Sequence, residues 1–325
     1  ASRQQIVKYL KHFGWTPTKF TDKGNPIVDE SVLKGVKGIP ECKLISEYFL
    51  ISKREAMLRN ILGQIETDSR VHGYVNSNGA VTGRMTHSSP NMAQIPAVKK
   101  KDDEAVWGLD GGYGADFRAL FTVREGYKLV GCDASSLELR MLAHYMNDTE
   151  YTNEILHGDI HLKNQIATGL KTRDKAKTFI FAFLYGAGDA KIGSIIGGSD
   201  REGKKIKTNF LNNTPALRSL REKVINSSDK GFIKGLDGRK IWIRSSHAAL
   251  NFLLQGAGAI VMKKALTILN NNAIMEELDY KLVGNIHDEF QSEVLDKHAT
   301  RFGELAIEAI KEAGQYYELR CPLDA

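Results

Sequence analysis

The segment KLVGNIHDEFQSEV, residues 281–294, does most to limit what this chain can fold into, because two apolar stretches flank polar residues at its centre. This pattern predicts a strand, a tight turn and a second strand. A third predicted strand, YKLVGCD at 127–133, leads directly into a predicted helix, SSLELRMLAHYM at 135–146. Because residues 150–230 are mainly helical in pattern, the sequence predicts an α+β fold.

Two aspartates lie at the ends of these predicted strands. Asp133 ends the first strand, and Asp288 lies at the tip of the hairpin, 155 positions further on. A strand end and a hairpin tip can meet at one edge of a sheet, where paired carboxylates would hold Mg²⁺ and leave positions for water or phosphate. Two such ions can activate a 3′-hydroxyl and stabilise a leaving pyrophosphate. Each aspartate is also compatible with a turn or capping role, and Ser135-x-x-Glu138 matches a helix capping box.

The segment RDKAKTFIFAFLYGAG, residues 173–188, predicts an apolar helix with an unusual line of side chains. Arg173 and Lys177 are four residues apart, and Phe181 and Tyr185 continue the same step. Side chains at this spacing stack along one face of a helix. Taken alone, the line also fits a core helix with a solvated, charged end.

A second predicted helix, from about His247 to Leu269, repeats the four-residue step with His247, Asn251 and Gln255. Amide side chains can donate to purine N3 and pyrimidine O2 in the minor groove of DNA. Every base pair offers such acceptors, so these contacts would test pairing geometry without reading sequence. A buried polar stripe between helices is the alternative interpretation.

The remaining segments complete the outline of the chain. The pattern predicts short helical pieces in 1–40, a long amphipathic helix at 41–66, a β-hairpin at 71–85 with Asn78-Gly79 as its turn, a loop at 98–116 and a C-terminal helix at 298–316.

The composition of the chain indicates the cellular compartment and the class of binding partner. The 325 residues include 45 Lys+Arg against 39 Asp+Glu, and the net charge of +6 fits a polyanionic partner without requiring one. The three cysteines form no CxxC pair, which predicts a reducing compartment. The N-terminus lacks the pattern of a signal peptide, and no apolar run approaches the ~18 residues of a membrane span, so no membrane association is expected.

Several segments resemble DNA polymerase family A. The stretches VGCDASSLELRMLAHYM, RDKAKTFIFAFLYGAG and GNIHDEFQ resemble its motifs A, B and C. VTGRMTHSSPNMAQIP resembles the stretch ahead of motif A, and GDIHLKNQIA the segment ahead of motif B. The segments DASSLELR and FLYGAGDAKIG resemble the sequences of replicative polymerases of short-tailed bacteriophages more than that of bacterial DNA polymerase I.

The resemblance implies roles for individual residues. The implied catalytic residues are Asp133, Asp288, Lys177 and Glu289, and the implied metal ligands, for two Mg²⁺ ions, are Asp133, the carbonyl of Ala134 and Asp288. The implied dNTP-binding residues are His161, Arg173, Lys177, Phe181, Tyr185 and Glu138, of which Glu138 would exclude ribonucleotides. The implied DNA-binding residues are Arg84, His247, Asn251, Gln255 and His287.

The resemblance also implies a right-hand fold with an antiparallel palm sheet, helical fingers and a partial helical thumb. The implied division is thumb base at 1–70, palm at 71–149, fingers at 150–245 and palm again at 246–325. The implied activity is template-directed addition of dNTPs to a primer 3′ end, in the cytoplasm of a host cell if the protein is phage-encoded.

Two departures from the family pattern shape the expected partners. No exonuclease segment and only part of a thumb precede the palm, and the chain stops at RCPLDA, short of the family's usual tail. We therefore expect no 3′–5′ exonuclease activity from these residues. Either these residues are a fragment of a longer chain, or the gene is split and a companion chain supplies exonuclease and thumb segments. That companion chain, or a processivity factor, is the expected partner beside primer–template DNA and dNTPs.

Two other interpretations stay open. A single-subunit RNA polymerase shares the R-x₃-K-x₇-Y-G helix and the paired aspartates, but it normally has glycine at the position of Glu138 and HDS in place of residues 287–289. A non-catalytic module that binds primer–template DNA is the second interpretation. Extension assays with dNTPs, NTPs and Mg²⁺ discriminate among the three.

Overall fold

The computed structural model describes residues 2–21, 23–243 and 245–325. The chain forms two compact units, residues 1–74 with 87–122 and residues 75–86 with 123–325. Each unit is built around its own cluster of buried apolar side chains.

The first 122 residues contain one long helix and several short elements. These are α1 (Arg3–Lys11), α2 (Glu30–Lys34), α3 (Pro40–Leu62), β1 (Tyr74–Asn76), β2 (Thr86–Ser88), β3 (Lys100–Lys101), β4 (Glu104–Ala105), α4 (Gly108–Gly111) and α5 (Gly114–Ala119). The predicted long helix is confirmed as α3, whose start is favoured by Pro40 because proline at the first helical position needs no hydrogen-bond partner.

Two predictions for this part of the chain are wrong. β1 and β2 do pair, but nine residues separate them, so Asn78-Gly79 is not a two-residue hairpin turn. Gly79 is needed for packing instead, since a Cβ there would lie 1.9 Å from Oγ1 of Thr86. The predicted loop at 98–116 contains β3, β4, α4 and part of α5, because side chains such as Asp116, which accepts the Gly108 N–H at 2.9 Å, stabilise short helical turns.

Residues 123–325 alternate between one sheet and many helices. The elements are β5 (Tyr127–Asp133), α6 (Leu137–Met146), α7 (Thr149–His157), α8 (Ile160–Thr168), α9 (Arg173–Leu184), α10 (Asp189–Ile196), α11 (Asp200–Asn212), α12 (Pro215–Ser228), β6 (Phe232–Lys234), β7 (Lys240–Trp242), α13 (Ala249–Met275), β8 (Tyr280–Ile286), β9 (Glu289–Leu295) and α14 (Ala299–Tyr316). The α+β class, the three strands and the helical region at 150–230 are confirmed.

The antiparallel sheet has the order β5-β9-β8. The central strand β9 is the most buried, and its Phe290 and Val294 belong to the core on which α14 packs. In the ladder, Glu289 is paired with Asp133 on one side and with Ile286 on the other. The strand end and the hairpin tip therefore share one edge of the sheet, as the sequence predicts.

The long helix α13 corrects the expectation about apolar runs. Together with the 3-10 turn before it, it spans Ser246–Met275, and by length and composition alone it could cross a membrane, since an 18-residue window within it has a mean hydropathy of 1.4. However, 67% of that window is buried inside the protein, where α13 packs along α14. Its apolar length is thus explained by a position in the core, where a helix is apolar on all sides.

Candidate active site

The sheet edge brings together the residues predicted to bind metal. The N–H of Ala134 donates to the backbone carbonyl of Asp288 at 2.9 Å, which places the residue after β5 directly beside the β8–β9 turn. His287, the first residue of this turn, has φ = 63°, so the chain reverses within two residues. The positions of Asp133 and Asp288 are consequently fixed by backbone hydrogen bonds.

Negative charge accumulates at this edge. Partial burial, and then the charges of Asp288 and Glu289, raise the pKa of the Asp133 carboxyl from 3.8 to about 6, although the residue is exposed to solvent. Gln291 donates a hydrogen bond to Glu289 and neutralises none of this charge. A bound cation would offset the repulsion among these carboxylates and favour the charged form of Asp133.

The donor set fits Mg²⁺ better than a metal held by the protein alone. No group of three or more His, Cys, Asp or Glu side chains is arranged as a metal cluster in the described part of the chain. Mg²⁺ is commonly held by one or two carboxylates, with waters and substrate phosphates as its other ligands. Asp133, Asp288 and the carbonyl of Ala134 meet this requirement.

Glu138 on α6 is the centre of a second group. Its carboxylate accepts hydrogen bonds from Nη2 of Arg84 at 3.2 Å and from the hydroxyl of Tyr185 at 2.9 Å. The side chains of Arg84 and Glu138 are 17% and 13% exposed, so this ion pair is largely shielded from water. The direction of the Glu138 carboxylate is thereby fixed by Arg84 and Tyr185, which are 54 and 47 positions away in the sequence.

The predicted capping box at Ser135-x-x-Glu138 is wrong. The residue preceding α6 is Ser136, with φ = 52°, and its side chain caps no N–H group. The N–H of Ser135 donates instead to the carbonyl of Asp324 at 2.8 Å. A capping box needs an extended N-cap residue, so Glu138 is free to pair with Arg84 and Tyr185.

Helix α9 ends earlier than the sequence predicts. It stops at Leu184, and Gly186 adopts φ = 77°. The N–H of Ala187 donates to the carbonyl of Ala182, and that of Gly186 to Phe183, which is a Schellman motif. Tyr185 therefore occupies the C-cap position, and its hydroxyl reaches Glu138.

The cations of α9 are partly engaged before any ligand binds. Nε of Arg173 donates to Oδ2 of Asp159 at 2.6 Å, while Oδ1 of Asp159 accepts the N–H groups of His161 and Leu162 at the start of α8. The hydrogen bond from Arg173 is the main reason that the pKa of Asp159 falls to about 2. Arg173 keeps four further N–H donors for another anion.

His161 lies beside this pair. Its ring centroid is 6.3 Å from that of Phe181. Burial, and then the charges of Arg173 and Lys177, lower the pKa of the imidazole. Its Nδ1 atom is buried and has no hydrogen-bond partner.

The polar stripe of α13 is only partly helical. His247 lies in the 3-10 turn Ser246–Ala248 ahead of the helix and is exposed, whereas Asn251 is buried and Gln255 half-buried. The turn also meets the end of α9, since a Cβ on Gly186 would lie 2.7 Å from the carbonyl oxygen of His247.

The sequence-family model described as "DNA polymerase family A" matches residues 1–325. The chain belongs to DNA polymerase family A. It is 44% identical to a DNA-directed DNA polymerase of Enterobacteria phage T3 and 43% identical to that of Escherichia phage T7, in each case over 100% of this chain and 50% of the relative. The chain thus spans about half the length of these curated relatives.

Bacterial members of family A are more distant. DNA polymerase I of Aquifex aeolicus is 27% identical over 94% of this chain and 53% of its own length. The solved structure described as "POL domain of Pol1 from M. smegmatis complex with DNA primer-template and dNTP" matches with a TM-score of 0.85 at 22% identity, over 100% of this chain and 59% of that one. This likeness confirms the right-hand polymerase fold, and the phage relatives confirm the resemblance predicted from the motifs.

The sequence motifs did not predict the contacts of two further residues, Asp159 and Arg140. Asp159 holds Arg173, and its position as the N-cap of α8 was the available signal. Arg140 is buried, and its guanidinium donates to the carbonyls of Ser135 and Pro322. No local sequence pattern predicts the contact of Arg140 with Pro322, because these residues are 182 positions apart.

Proposed function

We propose that this chain catalyses the template-directed addition of dNTPs to the 3′ end of a DNA primer. The observation that carries the proposal is the backbone-fixed adjacency of Asp133, Ala134 and Asp288 at one sheet edge. Carboxylates held close together suit a reaction in which phosphate and metal ions meet at that edge.

The metal ligands in this proposal are Asp133, Asp288 and the carbonyl of Ala134, and the proposed metal is a pair of Mg²⁺ ions. Bound there, the ions would lower the pKa of the primer 3′-hydroxyl and stabilise charge on the leaving pyrophosphate. Glu289 and His287 flank Asp288, so we assign them to orienting that carboxylate and the primer end.

Arg173, Lys177 and His161 form the proposed triphosphate site. Charge-assisted hydrogen bonds from the two cations would hold the triphosphate, with Lys177 also acting in catalysis. The further N–H donors of Arg173 support this assignment. Phe181 would pack against the sugar and base of the incoming nucleotide. Closure of α9 over a correct dNTP would complete the site, an induced-fit step.

Glu138 is the proposed sugar gate. Its carboxylate is held by Arg84 and Tyr185, so it cannot swing away to admit a 2′-hydroxyl without breaking both contacts. On the DNA side, we assign Arg84, His247, Asn251, Gln255 and His287 to the primer–template duplex near the insertion site.

The organisation of the chain follows the same proposal. We assign residues 1–70 to the thumb base, 71–149 and 246–325 to the palm, and 150–245 to the fingers. We further propose that a companion chain or processivity factor contributes to DNA grip, and that the protein acts in the host cytoplasm.

A primer-extension assay with the 325-residue polypeptide tests the central claim. We expect Mg²⁺-dependent extension with dNTPs and little with NTPs. Extension with NTPs alone would favour the RNA polymerase alternative, and tight primer–template binding without extension would favour a binding module.

The same polypeptide tests the finer claims. We expect short, distributive products whose yield falls as salt rises, because phosphate contacts are salt-sensitive, and no shortening of a 3′-labelled primer in the absence of dNTPs. Added exonuclease and thumb segments should lengthen the products. Long products at moderate salt, or primer degradation, would contradict these claims.

A further inference from the structure

The two-stranded ribbon β6–β7 has two unlike faces. Its ladder pairs Phe232 with Trp242, Ile233 with Ile241, and Lys234 with Lys240. The isoleucines are 3% and 2% exposed and belong to the core. Because side chains alternate across a strand, the opposite face, here called the outer face, presents two aromatic rings and two lysines.

One of the two rings on the outer face, that of Trp242, is largely exposed to solvent. Trp242 is 61% exposed. The ring of Phe232 lies edge-on to it, with centroids 5.8 Å apart, and Nζ of Lys240 lies 4.6 Å from the Phe232 centroid. Burial therefore does not explain the tryptophan, whose indole face is available to a flat ligand.

The lysines of the outer face carry uncompensated charge. Lys234 lies directly opposite Lys240, and like charges in this position destabilise a ladder. In the part of the chain that the structure describes, neither lysine forms an ion pair with a carboxylate, whereas Arg239 in the connecting loop is paired with Asp237 at 2.7 Å. An anionic partner would relieve the repulsion between the lysines.

The ribbon is a rigid platform attached to α13. Cδ1 of Ile241 packs so closely on the helix that a Cβ on Gly256 would lie 2.8 Å away. Gly256 directly follows Gln255, one of the residues assigned to duplex DNA. The N–H of Ile243 also donates to the carbonyl of Gly231 at 2.9 Å, which closes the base of the ribbon.

We propose that the outer face of β6–β7 binds single-stranded DNA, with a base stacked on Trp242 and backbone phosphates on Lys234 and Lys240. Aromatic rings beside lysines on an exposed sheet face are a common solution for unpaired strands, because every base has a π-face. Charge alone would also suit an acidic peptide, but such a peptide would leave the exposed indole unused. The identification of this strand as the unpaired template rests on the proposed polymerase function, whereas the binding itself does not.

The first test measures binding of a fluorescent oligo-dT by anisotropy in the absence of dNTPs. Trp242→Ala should raise the Kd roughly 5- to 50-fold, the effect of removing one stacked base. Trp107→Ala is the matched control, since Trp107 is 58% exposed and lies in the other unit. Lys234→Gln with Lys240→Gln should reduce the slope of log Kd against log salt by about 1.4, or 0.7 per phosphate contact. An unchanged Kd for Trp242→Ala would overturn the proposal.

The second test uses the fluorescence of Trp242 itself. The chain has three tryptophans, so Trp15→Phe with Trp107→Phe leaves Trp242 as the sole reporter. Its emission should be quenched by oligo-dT and not by polyglutamate. Quenching by polyglutamate alone would assign the surface to an acidic peptide and overturn the proposal.

A third measurement separates this inference from the proposed function. Trp242→Ala should slow extension on a template with a long single-stranded overhang and leave extension on a one-nucleotide overhang unchanged. If no form of the protein extends a primer, but oligo-dT binding still depends on Trp242, the polymerase proposal fails and the binding surface stands. If extension is normal and oligo-dT binding ignores Trp242, the reverse holds.

Discussion

The two charged parts of the proposed active site are held in opposite ways. The carboxylates at the sheet edge are positioned by backbone hydrogen bonds, and neither Asp133 nor Asp288 forms an ion pair with another of the described residues. On α9, Arg173 is positioned by a side chain, since it is already paired with Asp159. In the proposed function, the sheet edge therefore takes an external positive charge, whereas the helical part must partly exchange an internal partner for its ligand.

This difference predicts that changes at the sheet edge have the larger effects. A ligand to a metal ion has no substitute nearby, whereas one of several donors to a triphosphate can be compensated by the others. The predictions below test the contrast from its strongest consequence to its weakest.

Asp133→Asn or Asp288→Asn should each reduce the rate of single-nucleotide extension by ~10³-fold or more, because charge stabilisation at the reacting phosphate is lost. Primer–template binding, measured by anisotropy, should stay largely intact. Asp296→Asn, which removes an exposed carboxylate paired with Lys128, is the control. Near-normal incorporation by either variant would remove that aspartate from the catalytic role.

Phe181→Tyr should greatly increase the use of dideoxynucleotides. Phe181 has no hydroxyl, so a dNTP must supply its own 3′-hydroxyl to complete the contacts near the triphosphate, and a missing buried hydrogen bond costs roughly 1–3 kcal/mol. We expect the preference of the parent protein for dTTP over ddTTP to fall by roughly 10- to 100-fold in direct competition. Equal acceptance of both nucleotides by the parent protein would show that Phe181 does not lie beside the sugar.

Glu138→Ala should raise the ratio of kcat/KM for rNTPs to that for dNTPs by roughly tenfold or more, because a shortened side chain no longer excludes a 2′-hydroxyl. Tyr185→Phe removes one hydrogen bond and leaves the carboxylate in place, so its effect on the ratio should be smaller. Equal ratios for the Glu138→Ala variant and the parent would leave Glu138 with a structural role alone.

Asp159→Asn should lower the KM for dNTPs by about two- to fivefold, because exposed ion pairs such as that with Arg173 are weak but compete with the triphosphate. Asparagine can still cap α8, so the helix should be retained. Asp174→Asn makes the same change in net charge on the first turn of α9 and serves as the control. A raised KM would indicate that Asp159 positions Arg173 instead of competing for it.

The smallest expected effect is on stability. The pKa of Asp133 is raised to about 6 in the folded protein, so its ionisation opposes folding above that pH. With EDTA present, Asp133→Asn should increase the free energy of unfolding at pH 8 by about 0.5–1 kcal/mol, a value reduced for solvent screening. The gain should shrink between pH 6 and pH 4 and vanish below the ordinary carboxyl pKa. Denaturant unfolding at pH 8 and at pH 4 measures this gain, and a loss of stability at pH 8 would contradict the prediction.

Much of this protein can be predicted from its sequence where neighbouring residues decide the outcome. The apolar strands around residues 127–133 and 281–294, the helix of Arg173 and the C-terminal helix follow from local periodicity. The shared sheet edge of Asp133 and Asp288 was one possibility that the sequence allowed, and the pairing of β5 with β9 realises it.

Tertiary structure decided the features that depend on distant partners. Glu138 pairs with Arg84 and Tyr185 instead of capping α6, since the left-handed Ser136 removes the cap geometry. The apolar α13 lies in the core, and the aromatic face of β6–β7 is exposed. The amino-acid composition of these two segments does not show which of them is buried. Periodicity reports which side chains share a face, whereas the partner of that face is set by the packing of elements far apart in the chain.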